Sequence, residues 1–340
     1  MININDLTLV YLERELQSIG QPKYRAGQIF KWFARGVFCF DEMSDFSKSL
    51  REELSHRYKV ADVIIEKEFF SKHDETSKYL IKLNDGNLIE CVAMKYHHGI
   101  TLCLSTQAGC RMGCRFCASA LDGRIRNLTP GEILGQAALL QKKLGQRISN
   151  IVLMGMGEPL DNYENVLTFL ENVNNKRGMN IGYRHISLST CGIADKICQL
   201  AKEGMPITLS VSLHAPNDEI RNILMPVNKK YPVASVIDAC REYIKITGRR
   251  ITFEYILIQN INDSPLQAGE LARLLDGMLC HVNLIPANLV PESGFVGSSP
   301  KRAADFLMAL KKHQINATLR RRLGSDIEAS CGQLRRRHGI

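Results

Sequence analysis

The run Gln107-Ala-Gly-Cys-Arg-Met-Gly-Cys-Arg-Phe-Cys-Ala118 places Cys110, Cys114 and Cys117 in one short loop at C-x3-C-x2-C spacing. Gly109 and Gly113 let that loop fold back on itself. Three thiolates so crowded can hold a metal centre. A structural zinc ion normally takes four protein ligands, commonly from separated C-x2-C pairs. A [4Fe–4S] cube has four irons, so three cysteines would leave one iron open to another ligand. The third reading, three thiols packed as small core hydrophobes, fits poorly with Arg111 and Arg115 in the same loop. An open iron points to redox chemistry on a bound cofactor rather than to electron carriage alone.

Outward from this loop the pattern is alternating strand and helix. Strand-like runs are expected at 101–105, 150–154, 185–189, 207–213, 251–258 and 281–285. Helices are expected between them, among them 129–144 with the capping box Thr129-Pro-Gly-Glu132, 162–174 and 264–275, with a last one at 300–313. Six such units imply an α/β fold with a parallel sheet, open or closed into a partial barrel. Ligands bind such sheets at the carboxyl ends of the strands. The cysteine loop follows the first strand and therefore lies on the ligand side.

Upstream, helical spacing of apolar residues marks 7–19, 24–33 and 47–58, the last with Ser47 as its cap. Strand-like runs at 63–65, 77–82 and 88–94 follow, with Asp85-Gly86 as a hairpin signal between the last two. The expected division is a small helical accessory domain with a β extension at 1–95, a core at 96–320 and a C-terminal tail at 321–340.

The chain has 340 residues, 45% hydrophobic and 23% charged, ordinary for a folded globular protein. It has no apolar run of membrane-spanning length and no basic, apolar leader at Met1, so a cytoplasmic location is expected. Eleven cysteines in that setting read as reduced thiols, metal ligands or catalytic groups. A net charge of +9 favours a polyanionic partner, most simply nucleic acid. Basic residues crowd the C-terminal end, in Arg320-Arg-Arg322 and Arg335-Arg-Arg337, and a solvated tail would show the same pattern.

The expected strand ends carry polar groups. Met154-Gly-Met-Gly-Glu-Pro-Leu160 offers glycines for close backbone approach and a carboxylate for a ligand ammonium, although Gly-x-Gly turns are common. Ser187-Leu-Ser-Thr-Cys-Gly192 offers small hydroxyls. Ser210-Val-Ser-Leu-His-Ala-Pro216 ends in His214, which alone reads as a satisfied buried histidine. Asn283-Leu-Ile-Pro-Ala-Asn288 closes the series.

Taken together these motifs resemble the radical S-adenosylmethionine (SAM) superfamily. More narrowly, the chain resembles the adenine-C2 methyltransferases of 23S ribosomal RNA and transfer RNA. The resemblance runs through Tyr24-Arg-Ala-Gly-Gln-Ile-Phe-Lys-Trp32, Gly155-Met-Gly-Glu-Pro-Leu160, Ser212-Leu-His-Ala-Pro-Asn-Asp-Glu-Ile-Arg221, Pro226-Val-Asn-Lys-Lys-Tyr231, Asn283-Leu-Ile-Pro286 and Gly324-Ser-Asp-Ile-Glu-Ala-Ser-Cys-Gly-Gln-Leu334. The sister group, which methylates adenine C8, typically has Gly-Glu-Ala where this chain has Gly157-Glu158-Pro159. Ala287 departs from the Trp common at that place in the C2 group, while Asn288 is retained.

The resemblance implies a partial (β/α)6 radical SAM barrel behind the helical domain. It implies that Cys110, Cys114 and Cys117 hold a [4Fe–4S] cluster whose open iron binds SAM, and that Gly157, Glu158, Ser189, Ser212, Leu213, His214 and Asn288 contact SAM. Two SAM molecules are used per turnover. Cys331 takes a methyl group from the first. The second is cleaved to a 5′-deoxyadenosyl radical, which takes hydrogen from that methyl. The carbon radical adds to adenine C2, Glu90 accepts the C2 proton, and Cys103 attacks Cys331 to form a disulfide and free the methyladenine. Without the resemblance, Cys331 reads as an idle, exposed and mobile thiol, Cys103 as core and Glu90 as an outward-facing strand residue. The implied partners are 23S ribosomal RNA and transfer RNA, whose target base must be extruded, and a flavodoxin-like electron donor. The enzyme is expected as a monomer without membrane attachment. The competing readings are a C8 ribosomal RNA methyltransferase and a non-catalytic Fe–S RNA-binding protein.

Overall fold

A computed structural model of the chain describes residues 1–288 and 290–335. At the N-terminus, β1 (Ile2–Asn3), α1 (Leu9–Ser18), α2 (Tyr24–Ala34), α3 (Lys48–Arg57) and β2 (Tyr58–Lys59) form one unit. Parallel pairing of β1 with β2 brings its two ends together. Leu12, Leu16, Ile29, Phe30, Phe33, Leu50 and Leu54 are buried in its own core. The Ser47 hydroxyl caps α3 by accepting from the Leu50 amide at 3.3 Å, as the sequence indicated.

Next come β3 (Val63–Phe70), β4 (Thr76–Leu83), β5 (Leu88–Tyr96) and β6 (Gly99–Cys103), an antiparallel meander. The turn between β4 and β5 uses Gly86 at φ +81°, which suits glycine. A short hairpin, β7 (Gln107–Gly109) and β8 (Arg124–Asn127), pinches the cysteine loop at its base.

The remainder alternates: α4 (Pro130–Leu144), β9 (Ile148–Leu153), α5 (Tyr163–Asn174), β10 (Ile186–Thr190), α6 (Ala194–Ala201), β11 (Thr208–Ser212), α7 (Asp218–Leu224), α8 (Val233–Thr247), β12 (Ile251–Leu257), α9 (Pro265–Leu274), β13 (Cys280–Pro286), α10 (Pro300–Lys312) and β14 (Ala317–Leu319). The capping box at the start of α4 is formed, with the Thr129 hydroxyl accepting from the Glu132 amide and the Glu132 carboxylate from the Thr129 amide. Ser264 and Gln267 make a second at α9.

Among the described residues, ten strands form one sheet in the order β14-β13-β12-β11-β10-β9-β6-β5-β4-β3. From β6 to β14 all pairs are parallel, and β14 and β3 are edges, so the sheet does not close. The six expected strands are all present. Strand β14 was not expected: it is three residues long and runs straight into the arginines, so charge masked it. The β extension continues the sheet through the β5–β6 pairing. Its residues share one large core with the βα units. Hydrogen bonds from the Gly131 amide to Asp6 at 2.8 Å and from Asn172 to the Leu7 carbonyl at 3.1 Å tie the helical unit to α4 and α5. Among the described residues, no helix is long and apolar enough to cross a membrane.

Candidate cofactor and thiol site

The cysteine loop is held at both ends. Gly109, at φ +81°, lies so close to the Gly123 carbonyl that any Cβ would collide with it. Asp161, in the loop before α5, accepts from Arg111 Nε at 3.0 Å, Arg124 Nη1 at 2.9 Å and Gln107 Nε2 at 2.9 Å. These cations hold the Asp161 carboxyl below its ordinary pKa despite burial. On the far side, the Arg115 amide donates to the Leu224 carbonyl at 3.0 Å and the Ala118 amide to the Gly332 carbonyl at 2.7 Å.

The loop places Cys110, Cys114 and Cys117 on the wall of one cavity above the sheet. The facing wall is built from the ends of β9, β10 and β11 (Gly155, Gly157, Glu158, Ser189, Thr190, Cys191, Ser212 and His214), with Glu254 and Ile256 from β12 and Ile285 from β13. Burial pushes the Cys110 thiol up to about 12 and raises Cys114 and Cys117 as well. Thiolates at such positions call for a compensating cationic centre. Among the described residues, no three His, Cys, Asp or Glu side chains are set around a single ion. A cube takes one thiolate per iron, and three buried thiols around a common cavity fit that donor set.

The glycines of the β9 end serve the chain first. A Cβ on Gly155 would stand 2.6 Å from the Leu104 carbonyl oxygen, and one on Gly157 would stand 2.6 Å from the Gln107 Cβ. Gly157 also has φ +106°. Glu158 is buried, with one oxygen accepting from the Leu160 amide at 3.0 Å and the other from the Cys191 amide at 2.7 Å. It therefore clamps β9 to β10, and each oxygen keeps a lone pair for a ligand. Burial raises its pKa.

His214 is buried in the left-handed region at φ +61°. Its Nδ1 accepts from the Ile256 amide at 3.0 Å, which puts the ring proton on Nε2. Its ring meets Phe116 of the cysteine loop edge-on, with centroids 4.9 Å apart. Burial, helped by the nearby Arg221 charge, lowers its pKa to about 3, so it is a neutral donor at ordinary pH. Leu213 points into the core; its amide donates to the Glu254 carbonyl and its carbonyl accepts from Arg221 Nε at 3.1 Å. Asn288 lines a neighbouring cavity instead and donates to the Cys331 carbonyl at 3.0 Å.

That second cavity contains Cys103, at the end of β6, and Cys331. Cys331, Arg320, Met154 and Ile285 line both cavities, so the thiols stand next to the cluster-type loop. Burial, then the proximity of Cys331, raises the Cys103 thiol to about 12. The exposed, mobile thiol expected at Cys331 is not what the fold presents. Cys331 is half-buried, and its segment is fixed by the Ala118 and Asn288 bonds and by the Ser119 hydroxyl donating to the Leu334 carbonyl at 2.6 Å. Glu90 holds the same segment: its Oε2 accepts from the Arg335 amide at 2.9 Å, while Oε1 pairs with Lys78 at 3.0 Å. Glu90 lines neither cavity. Arg335 is buried against Glu292 at 2.7 Å, unlike a solvated tail; Arg336 and Arg337 lie outside the described residues.

Three site residues were not singled out in the sequence. Glu254 is buried in the cavity wall, accepts from Asn283 at 2.8 Å and lies 3.8 Å from Arg320. A lone carboxylate inside the apolar run Ile251–Leu257 was the available signal. Arg320 was absorbed into a run of basic charge. Arg221, wholly buried, donates to the carbonyls of Leu213, Tyr231 and Cys191 and to the Asn228 side chain.

The profile of the radical SAM superfamily matches residues 104–271, and that of the ribosomal RNA large subunit methyltransferase N-terminal domain matches residues 2–60. The probable dual-specificity RNA methyltransferase RlmN of Alkaliphilus oremlandii (strain OhILAs) is 53% identical over 337 residues, covering 99% of this chain and 98% of that one. The protein of the same description from Clostridium tetani (strain Massachusetts / E88) is 51% identical over 338 residues, covering 99% and 97%. A crystal structure of a radical SAM methyltransferase from Sphaerobacter thermophilus superposes with a TM-score of 0.95 at 44% identity, over 99% of this chain and 100% of that one.

Proposed function

The chain belongs to the RlmN family of radical SAM RNA methyltransferases, and from that premise we propose that it methylates C2 of adenine in 23S ribosomal RNA and transfer RNA through a methyl group carried on Cys331. The observation that carries this reading is the meeting of Cys103 and Cys331, far apart in sequence, in one cavity beside the cysteine loop.

Adenine C2 lies between two ring nitrogens and is electron-poor, so it does not attack a SAM methyl directly. A [4Fe–4S] cluster held by Cys110, Cys114 and Cys117 supplies the electron that cleaves SAM homolytically. Gly157, Glu158, Ser189, Ser212 and His214 frame SAM, with Glu158 accepting from its ammonium and His214 donating through Nε2. Leu213 serves through its backbone and Asn288 by positioning Cys331. One SAM methylates the Cys331 sulfur, and a second is consumed in activating that methyl carbon for addition to C2. Glu90 then takes the C2 proton. For this the Arg335 amide must leave Glu90 Oε2, which couples proton acceptance to movement of the tail. Cys103 attacks the Cys331 sulfur, the disulfide forms, and the methylated base leaves.

The domain division at 1–95, 96–320 and 321–340 follows these roles: RNA grip, SAM chemistry and methyl carriage. The helical unit and the +9 charge favour phosphate and shape contacts with folded RNA. Two SAM per turnover, a flavodoxin-like donor and a monomeric enzyme belong to the same reading. Anaerobic incubation with SAM, a reductant and RNA, followed by nucleoside analysis, tests it: 2-methyladenosine is expected, and 8-methyladenosine would overturn the assignment of carbon.

A further inference from the structure

Met112, between Cys110 and Cys114, lines two cavities at once. One is the cofactor cavity. The other is an open groove between the cysteine loop, the N-terminal ends of α5 and α6, and the turn Pro226–Lys229. Among the described residues no other side chain is shared by the two, and the groove shares none with the Cys103–Cys331 cavity. One thioether therefore separates the outer surface from the cluster position, on a side remote from the thiols that receive the base.

The groove is polar and its rim carries fixed cations. Lys196 sits over the Tyr163 ring at 4.3 Å and Lys230 over the Tyr231 ring at 5.0 Å, so both ammonium groups are held at the edge by aromatic faces. Arg111 is exposed beside them, and Asp161 on the floor is already neutralised by Arg111 and Arg124. Glu164 and Asp195 interrupt the positive field. Such a mixed pattern suits the separate carboxylates of a protein surface better than an unbroken run of phosphates.

Resting on the radical SAM reading above, we propose that this groove is the docking face for an acidic flavoprotein that delivers single electrons through the Met112 wall. The donor flavin loses one electron and the cluster gains one; no bond or proton changes on this chain. The donor and the RNA can be bound together, because the thiol cavity opens elsewhere.

The test uses the cluster-loaded protein, reduced bacterial flavodoxin as the probe donor, and dithionite as a reductant that needs no docking face. In K196E/K230E, flavodoxin binding read by flavin fluorescence and flavodoxin-driven 5′-deoxyadenosine formation are expected to fall about tenfold or more at low salt. Dithionite-driven formation stays at the wild-type rate. Unchanged flavodoxin affinity overturns the proposal, as does a loss of RNA affinity with flavodoxin binding intact, which would give the groove to RNA. Should charge reversal disturb folding, K196Q/K230Q removes the charges without adding repulsion, and an unchanged flavodoxin rate there also overturns it. Wild-type protein that forms no 5′-deoxyadenosine even with dithionite would sink the radical SAM reading itself, independently of the groove.

Discussion

Lys78 and Glu90, diagonal neighbours on β4 and β5, form an ion pair at 3.0 Å with each side chain only 7% exposed. The free Glu90 oxygen holds the backbone of Arg335. One carboxylate thus joins the sheet extension to the tail that bears Cys331.

Breaking a buried pair by removing one partner costs more than replacing both with apolar groups. Glu90→Gln should therefore destabilise the fold by about 3–5 kcal/mol in urea titrations. Lys78→Met/Glu90→Met should recover most of that loss but not product release, if Glu90 also accepts the C2 proton. Full recovery of methylated RNA in the double variant would make the residue structural only.

The His214 imidazole gives a pH signature. Its folded pKa lies at about 3, below the ordinary 6.5, because burial disfavours the cation. Below pH 6.5 the unfolded chain takes up a proton that the folded chain refuses, so stability falls as pH drops from 6.5 toward 3. The slope is at most about 1.4 kcal/mol per pH unit for one proton. His214→Asn, which tolerates the left-handed backbone, should flatten that contribution in urea midpoints measured between pH 7 and 5. An unchanged slope would assign the pH dependence to other groups.

Arg221 joins the ends of β10 and β11 to the segment after α7 with hydrogen bonds to Cys191, Leu213, Asn228 and Tyr231. A lysine cannot reproduce that fork. Arg221→Lys should cost about 3–5 kcal/mol, the scale of a broken buried charge network. It should also weaken SAM binding in equilibrium dialysis, since the carbonyls it orders belong to cavity-lining segments. Wild-type SAM affinity in a destabilised Arg221→Lys would confine its role to folding.

The elements of the βα core were legible because each has a strong local signal: a capping box at Thr129, another at Ser264, and apolar strands punctuated by Gly and Pro. The cysteine loop was legible because three thiols in a polar setting have few other uses. What could not be read was long-range. Nothing near Cys331 indicates that Ala118, Ser119, Asn288 and Glu90 pin its segment. Arg320 looked like tail charge until β14 placed it between two cavities. Arg221 and Glu254 looked like surface residues of a helix and a strand, because burial depends on neighbours distant in the chain.

Gly155 should tolerate no side chain. With Leu104 backbone atoms 2.6–2.8 Å from its Cβ position, Gly155→Ala must push β9 away from β6. A loss of about 1–3 kcal/mol is expected, and thermal melts read it directly; an unaltered melting temperature would mean that the strand ends give way freely.

The central claim is that Cys331 carries the carbon and Cys103 releases it. Cys103→Ala protein, incubated anaerobically with SAM, reductant and RNA, should accumulate a covalent protein–RNA adduct. Intact mass and peptide mapping should place it on Cys331 through one methylene carbon. Release of free methylated RNA at the wild-type rate from Cys103→Ala, or an adduct on any other residue, would contradict the account.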